Sequence, residues 1–339
     1  MVRRDIDSVS VASTPYSYYM RMAIWISSRQ PWHEIDDIAQ HADTTGWDRL
    51  YVSDHFMGDR GPKERTPTLE ATALVCAIAQ RTSRIGIGPL VLGNTYRHPA
   101  VVANWAATTD HLSGGRLILG LGASWQANEH DQYGIVLPPP AERLKRLEEA
   151  CQVVRSLLED NEVTFDGQTY RLLGAICEPK PVQARVPLLV GGSGDRLLGI
   201  VARRADEWNC WASPDHLRNR RSVLVEACNR VGRDPAGVAC SVQAYTMLTD
   251  DRRRARAFMI ALRGRARWAG SAEEYPDAID AWASAGATEI VVPDLFLGTG
   301  TARRDVMDAL LEASRIHEAG LTPLAKSPAV QQAPPEVAH

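Results

Sequence analysis

Several motifs that mark common enzyme classes are absent from this sequence. It contains no Walker phosphate loop, no His-Glu-x-x-His pair and no Gly-x-Ser-x-Gly elbow. We therefore expect neither nucleotide hydrolysis nor the chemistry of zinc or serine hydrolases. The six cysteines form no Cys-x-x-Cys pair, and their spacing suits no zinc site. Most stand in apolar stretches, which predicts buried free thiols in a reducing compartment and no bound metal.

Strong net charge and long apolar runs are also missing. The formal net charge is -3 at pH 7, so no global field attracts nucleic acid or an anionic membrane. No stretch approaches the roughly 20 apolar residues that span a bilayer. The first residues lack the apolar core of a secretion signal. We therefore expect a cytoplasmic protein that binds neither nucleic acid nor membrane.

The sequence does contain a regular alternation of short apolar runs and longer amphipathic segments, which predicts βα units around a parallel sheet. The predicted strands are residues 22–26, 49–53, 84–88, 116–122, 187–190, 207–210, 238–246 and 289–292. Eight strand–helix units predict an α/β fold, a closed (β/α)8 TIM barrel, as one domain over residues 21–320. Residues 1–20 and 321–339 are predicted to be tails, the second of them disordered.

The connection after the fourth predicted strand is longer than the others. Residues 141–159 have the apolar spacing of a helix, and residues 163–172 predict a hairpin that turns at Asp166-Gly167. We therefore expect an insertion at about residues 123–187. The alternative fold is an open doubly wound sheet, but no Gly-x-Gly-x-x-Gly opens a helix after the first strand.

Polar residues and glycines follow five of the predicted strands, at the end where barrel enzymes carry their active sites. In chain order these tips contain Asp54 and His55, then Asn94, then Ser124 and Glu129, then a glycine-rich turn, then Asn209. Each has an ordinary structural explanation, such as a capped turn, a histidine at the barrel rim or a solvated acid at a helix start. Their joint occurrence on one rim favours a functional site.

The glycine-rich turn is the segment Gly191-Gly192-Ser193-Gly194, directly before a predicted helix. Its glycines allow the backbone to approach a ligand closely. The free N–H groups of the helix start form an anion site, to which Ser193 adds a hydroxyl. This combination indicates phosphate binding, although many βα turns are rich in glycine.

With these residues placed, the sequence resembles the luciferase-like monooxygenase superfamily, and within it a group of F420-dependent oxidoreductases. The resemblance covers about residues 22–318. It is densest over residues 50–56 (LYVSDHF), 88–125, 129–135, 138–150 and 188–209, and the long stretch 88–125 is specific.

The resemblance implies a barrel whose mouth holds an isoalloxazine-type ring. It places a bulge with a non-prolyl cis peptide at Leu90-Val91 and the cofactor phosphate at Gly191-Gly192. It makes Asp54 the acid that approaches the ring, His55 a proton-transfer residue and Glu129 a second acid near the substrate. Cofactor binding is further assigned to Asn94 and Ser193. Because related barrels are commonly dimers, a homodimer is expected.

Two departures from the family pattern bear on the substrate. The family often has glycine where this chain has Ser124, which reshapes the approach to the ring. The loop after the second strand continues as Phe56-Met57-Gly58-Asp59, without the tryptophan of some deazaflavin sugar-phosphate dehydrogenases. This difference counts against a sugar-phosphate substrate.

The resulting hypothesis is hydride transfer between coenzyme F420 and a small organic substrate, with the protein supplying orientation and a proton. The expected catalytic residues are His55, Glu129 and Asp54, and either His55 or Glu129 is expected to deliver or take the proton. An FMN-dependent monooxygenase on the same fold is the first alternative, since both cofactors use the same phosphate site. A barrel that binds a ligand without catalysis is the second. The seven arginines at 252, 253, 254, 256, 263, 265 and 267 predict a solvated helix face or, less readily, a cationic strip for an anionic tail or substrate.

Overall fold

The computed structural model describes residues 19–59, 61 and 65–320. The strands are β1 (Arg21–Ile26), β2 (Arg49–Val52), β3 (Gly86–Pro89), β4 (Leu92–Gly93), β5 (Leu119–Gly122), β6 (Val163–Asp166), β7 (Arg171–Ala175), β8 (Leu188–Gly191), β9 (Glu207–Trp211), β10 (Ala239–Gln243), β11 (Tyr245–Leu248), β12 (Arg267–Gly270) and β13 (Glu289–Pro293). The α-helices are α1 (Trp32–Thr45), α2 (Ala71–Arg81), α3 (Pro99–Ser113), α4 (Ala127–Tyr133), α5 (Pro140–Glu159), α6 (Asp195–Arg204), α7 (Pro214–Arg230), α8 (Arg252–Ala261), α9 (Tyr275–Ser284) and α10 (Gly300–Gly320).

Nine of these strands form one parallel sheet that curls into a barrel. Their order is β3-β2-β1-β13-β10-β9-β8-β5-β4. β3 and β4 are two halves of one barrel strand, interrupted at Leu90 and Val91. A parallel bridge between Ile87 and Leu117 joins β3 to the residues before β5 and closes the ring. The predicted (β/α)8 barrel is therefore confirmed.

Two glycines permit the close approach of β3 and β5 where the ring closes. A Cβ atom on Gly88 would lie 2.0 Å from the carbonyl oxygen of Ile118, and one on Gly120 would lie 2.2 Å from that of Pro89. Neither position could therefore hold a larger residue without moving the backbone. This close packing explains why both positions hold glycine.

A buried ionic cluster closes the amino end of the barrel, opposite the strand tips that carry the candidate site. Arg49 donates to both carboxylate oxygens of Glu207, at 2.6 and 2.9 Å, and its Nη1 lies 3.0 Å from Glu289 Oε2. Tyr51 Oη donates to Glu289 Oε1 at 3.1 Å. Burial raises the pKa of Glu289, although the neighbouring Arg49 and Arg21 act in the opposite direction. Polar groups at this end of a barrel serve stability more often than catalysis.

The prediction of one strand over residues 238–246 is wrong. The chain leaves the barrel after Gln243, and β11 pairs with β12 in a separate two-stranded parallel sheet. The apolar pattern continues through Ala244, which is fully buried, so the sequence shows no break. β12 escaped prediction because two of its four residues are Arg267 and Gly270, which are poor strand signals.

The connection from β5 to β8 contains α4, α5 and the antiparallel hairpin β6–β7. The hairpin turn is wider than the predicted Asp166-Gly167 turn, because Gly167 N–H donates to the carbonyl oxygen of Tyr170. The carboxylate of Glu149 accepts from the backbone N–H groups of Gln168, Thr169 and Tyr170. A contact from α5 thus sets the turn, which local sequence signals could not reveal.

The predicted tails fall almost wholly outside the described residues. Residues 1–18 and 321–339 are not described. Tyr19 and Met20, which the sequence assigns to the first tail, are described; Met20 is buried in the core, and Tyr19 Oη donates to Asp48. All six cysteines are free, and five of them are buried.

Candidate active site

A cavity of about 990 Å³ opens at the carboxyl ends of the barrel strands. Among its lining residues are most of those predicted from the strand tips: Asp54, His55, Leu90, Val91, Gly191, Gly192 and Ser193. The parallel sheet brings these residues together although they stand far apart in sequence. Glu129 and Asn94 do not line the cavity.

Asp54 lies at the end of β2 as the centre of an ionic network. Its carboxylate accepts from Arg97 Nη1 and Nη2 at 2.8 and 3.0 Å, and from Gly93 N–H at 2.8 Å. Arg97 also donates to Glu70, the N-cap residue of α2. Burial alone would raise the pKa of Glu70, but hydrogen bonds from Ala73 N–H, Thr72 and Arg97 hold it below its usual value. The network ties β2, β4 and α2 together beneath the cavity.

Glu129 lies fully buried on α4, where three donors surround its carboxylate. His55 Nδ1 lies 2.9 Å from Oε1, Phe56 N–H donates to Oε2 at 2.9 Å, and Tyr96 Oη donates to Oε1. Burial would raise the pKa of Glu129, but the hydrogen bonds from His55, Tyr96 and Phe56 together hold it below the ordinary value. Burial and the neighbouring carboxylate both raise the pKa of Tyr96. Glu129 is therefore an ionised acceptor, and Tyr96 stays a protonated donor.

His55 and Tyr96 are the members of this group that line the cavity. With His55 Nδ1 engaged by Glu129, His55 Nε2 has no hydrogen-bond partner among the residues that the structure describes. The His55 side chain is 21% exposed, and Trp125 meets it edge to face with ring centroids 5.6 Å apart. A histidine fixed at Nδ1 by a carboxylate presents Nε2 for proton exchange.

The floor of the cavity is the bulge between β3 and β4. The peptide bond Leu90-Val91 is cis, which is the bond that the family resemblance implied. Val91 occupies the space that a larger residue at position 122 or 191 would need. A Cβ atom on Gly122 would lie 2.5 Å from Val91 Cγ2, and one on Gly191 would lie 3.0 Å from Val91 Cγ1. The glycines therefore make room for Val91 to reach the cavity floor.

The glycine-rich turn after β8 is the candidate anion cradle of the site. Gly192 has a φ of 135°, and its carbonyl oxygen accepts from Trp208 Nε1 at 2.6 Å. Gly194 is the N-cap residue of α6, and no side chain caps this helix. Its first N–H groups therefore remain available to a bound anion beside Ser193.

A charged pair flanks this cradle at the start of α6. Arg220 Nη1 donates to Asp195 Oδ1 at 2.6 Å and to the carbonyl oxygen of Ser193 at 3.3 Å. The guanidinium offsets the carboxylate, which would otherwise repel a phosphate.

Asn94 does not reach the cavity. Its amide Nδ2 donates to Tyr170 Oη at 3.3 Å, on the loop of the β6–β7 hairpin. Asn94 faces away from the cavity because of the bulge at Leu90 and Val91. After the bulge, Gly93 pairs with β5, and Asn94 N–H donates to the carbonyl oxygen of Gly122. The bulge breaks the strand alternation on which a sequence argument depends.

Ser124 occupies the position where the family often has glycine, and it has a φ of 61°. This is the left-handed region that favours glycine. The Ser124 hydroxyl accepts from Thr95 Oγ1 at 2.7 Å, and its carbonyl oxygen accepts from Arg143. These contacts hold Ser124 at the cavity in the backbone conformation expected for the family's glycine.

Several residues that line the cavity were not predicted from the sequence. They are Trp25, Tyr96, Trp211 and Tyr245, while Arg265, which was named from the sequence only within the arginine strip, also lines the cavity. Tyr96 and Trp211 stand at strand tips in the sequence, but an aromatic residue there gives no local sign of whether it faces a cavity or the core. Tyr245 and Arg265 depend on the β11–β12 sheet, which was not predicted.

Residues 16–322 match the family model of the luciferase-like monooxygenases. The chain belongs to this family. Curated relatives include F420-dependent glucose-6-phosphate dehydrogenases of Amycolatopsis mediterranei and Segniliparus rotundus. The first is 35% identical over 52% of this chain and 53% of its own length. The second is 31% identical over 60% of this chain and 62% of its own length. The chain thus matches only about half to three fifths of these relatives.

Solved structures of other proteins share the barrel fold. An F420-dependent secondary alcohol dehydrogenase in complex with an F420-acetone adduct has a TM-score of 0.78 at 21% identity, covering 87% of this chain and 99% of that one. The coenzyme F420-dependent tetrahydromethanopterin reductase of Methanopyrus kandleri has a TM-score of 0.76 at 18% identity, covering 88% and 99%. The EDTA monooxygenase of Chelativorans has a TM-score of 0.75 at 15% identity, covering 90% and 95%. At these identities the likeness concerns the fold alone.

The described ranges contain neither a cluster of metal-ligating side chains nor a membrane-spanning helix. No group of three or more His, Cys, Asp or Glu side chains there could hold a metal ion. No described helix combines the length and the apolar character needed to cross a bilayer.

Proposed function

We propose that this protein is an F420-dependent oxidoreductase that transfers a hydride between the deazaflavin ring and a small organic substrate. Relatives named F420-dependent glucose-6-phosphate dehydrogenases support the choice of cofactor. The observation that carries the proposal is the buried Glu129, which engages Nδ1 of the cavity-lining His55 and leaves Nε2 without a partner among the described residues. An anion cradle opens into that same cavity.

The residues of the cavity fit a phosphorylated tricyclic cofactor. Gly192 and Ser193 with the uncapped start of α6 would hold its phosphate. Leu90 and Val91 would support the ring from the bulge. When bound, the deazaflavin would supply the redox chemistry by accepting or donating a hydride.

His55 would move the proton that accompanies the hydride. Because the ionised Glu129 accepts a hydrogen bond from His55 Nδ1, the neutral imidazole carries its proton on Nδ1 and has a lone pair on Nε2. Nε2 can then take the proton of an alcohol that is being oxidised. In the reverse direction the protonated imidazole donates from Nε2 to the substrate oxygen.

Asp54 and Glu129 would act through other groups. The three hydrogen bonds accepted by Asp54 fix its charge beneath the cavity and hold the backbone at Gly93. It would thus shape the cofactor site without transferring a proton. Glu129 would orient His55 and stabilise the imidazolium. The expected cytoplasmic location and homodimer stay predictions from the sequence.

A single-turnover experiment tests this proposal. Full-length protein with oxidised F420 is mixed with a panel of small alcohols, and loss of the deazaflavin absorbance is followed. His55→Ala should bind F420 as tightly as the unchanged protein but react about 10²–10⁴-fold more slowly. His33→Ala, an exposed histidine on α1, is the matched control.

Each other outcome counts against a specific part of the proposal. Unchanged turnover in His55→Ala would remove His55 from the reaction. Binding of FMN without F420, with oxygen consumption, would favour the monooxygenase alternative. A protein that binds neither cofactor would favour a barrel without catalysis.

A further inference from the structure

One side of the cavity is made of aromatic rings that the proposed reaction does not use. Trp25 from β1, Trp211 from β9 and Tyr245 from β11 all line the cavity. The centroids of Trp25 and Trp211 lie 6.4 Å apart, edge to face, and those of Trp211 and Tyr245 lie 4.7 Å apart. These three rings are called the aromatic wall. Phe296 continues it behind Tyr245, at 5.6 Å.

The aromatic wall begins at the bulge that would support the cofactor ring. Trp25 Nε1 donates to the carbonyl oxygen of Leu90 at 3.3 Å. A molecule that lies along the wall therefore borders the cofactor site. Trp211 is 39% exposed, so a large part of its surface is open to a ligand. Aromatic rings exposed inside a cavity favour a flat apolar partner.

Two arginines line the same cavity without a carboxylate partner among the described residues. Arg265 follows α8, and its Nη1 donates to Tyr245 Oη at 3.4 Å. Arg29 stands in the loop after β1. By contrast, Arg97 and Arg220 are each ion-paired. A guanidinium beside an aromatic ring and free of an acid is suited to a planar carboxylate.

The cavity also has an acidic lining residue, Asp59. It belongs to the loop after β2, which Asn128 holds by donating to the carbonyl oxygen of Gly58 at 2.8 Å. Asp59 thus stands on the side of α4, whereas Arg265 adjoins the aromatic wall through Tyr245.

We infer that the substrate is an aromatic acid whose rings lie on the aromatic wall and whose carboxylate binds Arg265. This inference rests on the proposed function and names its substrate class. A sugar phosphate would suit the wall poorly, because sugar hydroxyls need hydrogen-bond partners that ring faces do not supply.

Binding of three probes to the F420-loaded full-length protein tests the inference by calorimetry. The probes are 2-naphthoate, the neutral 2-naphthalenemethanol and glucose 6-phosphate. We expect 2-naphthoate to bind about tenfold more tightly than the neutral alcohol, because a charged hydrogen bond is lost in the latter. Glucose 6-phosphate should bind more weakly than either.

Two variants separate the roles of ring and charge. Arg265→Leu should abolish the preference for 2-naphthoate over the neutral alcohol. The control is Arg263→Leu, which should retain that preference because Arg263 stands on the same loop but does not line the cavity. Trp211→Ala should weaken both aromatic probes by about tenfold and leave glucose 6-phosphate unaffected.

Three results would overturn the inference. They are tighter binding of glucose 6-phosphate than of 2-naphthoate, equal affinity for the two aromatic probes, and a loss of F420 affinity in Arg265→Leu with no loss for 2-naphthoate. If F420 itself does not bind, the proposed function fails. The same titrations on the cofactor-free protein then test the aromatic wall by itself, and the same ranking of probes is expected.

Discussion

Replacement of Tyr96 by phenylalanine tests the hydrogen-bonded group that positions His55. The Tyr96 hydroxyl donates to the fully buried carboxylate of Glu129, while its ring packs on Phe56 with centroids 4.8 Å apart. The substitution keeps the ring and removes one of three donors. A hydrogen bond to a charged group contributes about 1.5–3 kcal/mol. We expect the free energy of unfolding at pH 7 to fall by about that amount.

The effect should depend on pH with a definite sign. The folded state holds the pKa of Glu129 below its ordinary value, which is about 4.3 in an unfolded chain. Its stabilisation is therefore fully present above the unfolded pKa and is lost as the pH falls through the folded pKa. The stability difference between Tyr96→Phe and the unchanged protein should shrink over that acid range. The pKa of Glu129 should itself rise in the variant.

Urea unfolding at pH 7 and at successively lower pH measures this difference. Tyr133→Phe is the matched control, because Tyr133 also stacks on Phe56, at 4.9 Å, and its hydroxyl has no hydrogen-bond partner among the described residues. The control should lose almost no stability. Equal losses in the two variants, or a loss in Tyr96→Phe that does not change with pH, would refute the assignment of Glu129 as a buried carboxylate held by Tyr96.

Two further substitutions test the cradle and the barrel bottom. Gly192→Ala should lower the free energy of unfolding by about 1–3 kcal/mol, because Gly192 has a φ of 135° and an added Cβ would lie 2.8 Å from Leu197 Cδ1. The control is Gly194→Ala, which should be nearly neutral because the added Cβ meets nothing within 4 Å. Equal losses of stability in the two variants, measured by urea unfolding, would contradict this. Glu207→Gln should cost up to about 3 kcal/mol, because it leaves Arg49 buried with less opposite charge. F420 affinity should not change, and a change would place this cluster in the active site.

The barrel and most of its rim could be predicted because both depend on short sequence signals. Alternating apolar runs define the strands, and parallel strands necessarily bring their carboxyl ends to one face. Asp54, His55 and Gly191 to Ser193 each stand directly after a strand, so their meeting at one cavity follows from the topology.

The remaining features depend on contacts between distant segments. The partner of Asp54 is Arg97, which lies 43 residues away, and no local pattern selects it from the other arginines. The strand break after Gln243 and the turn held by Glu149 are likewise set by tertiary contacts. The aromatic wall could not be predicted, because it combines β1, β9 and the β11–β12 sheet.

The proposed function requires that this cavity hold a deazaflavin. The most direct test is an equilibrium titration of the full-length protein with F420, followed by F420 fluorescence, with FMN as competitor. We expect saturable binding of F420, and we expect FMN to displace F420 only at a concentration higher than that at which F420 itself binds. Tight binding of FMN together with no detectable binding of F420 would contradict it.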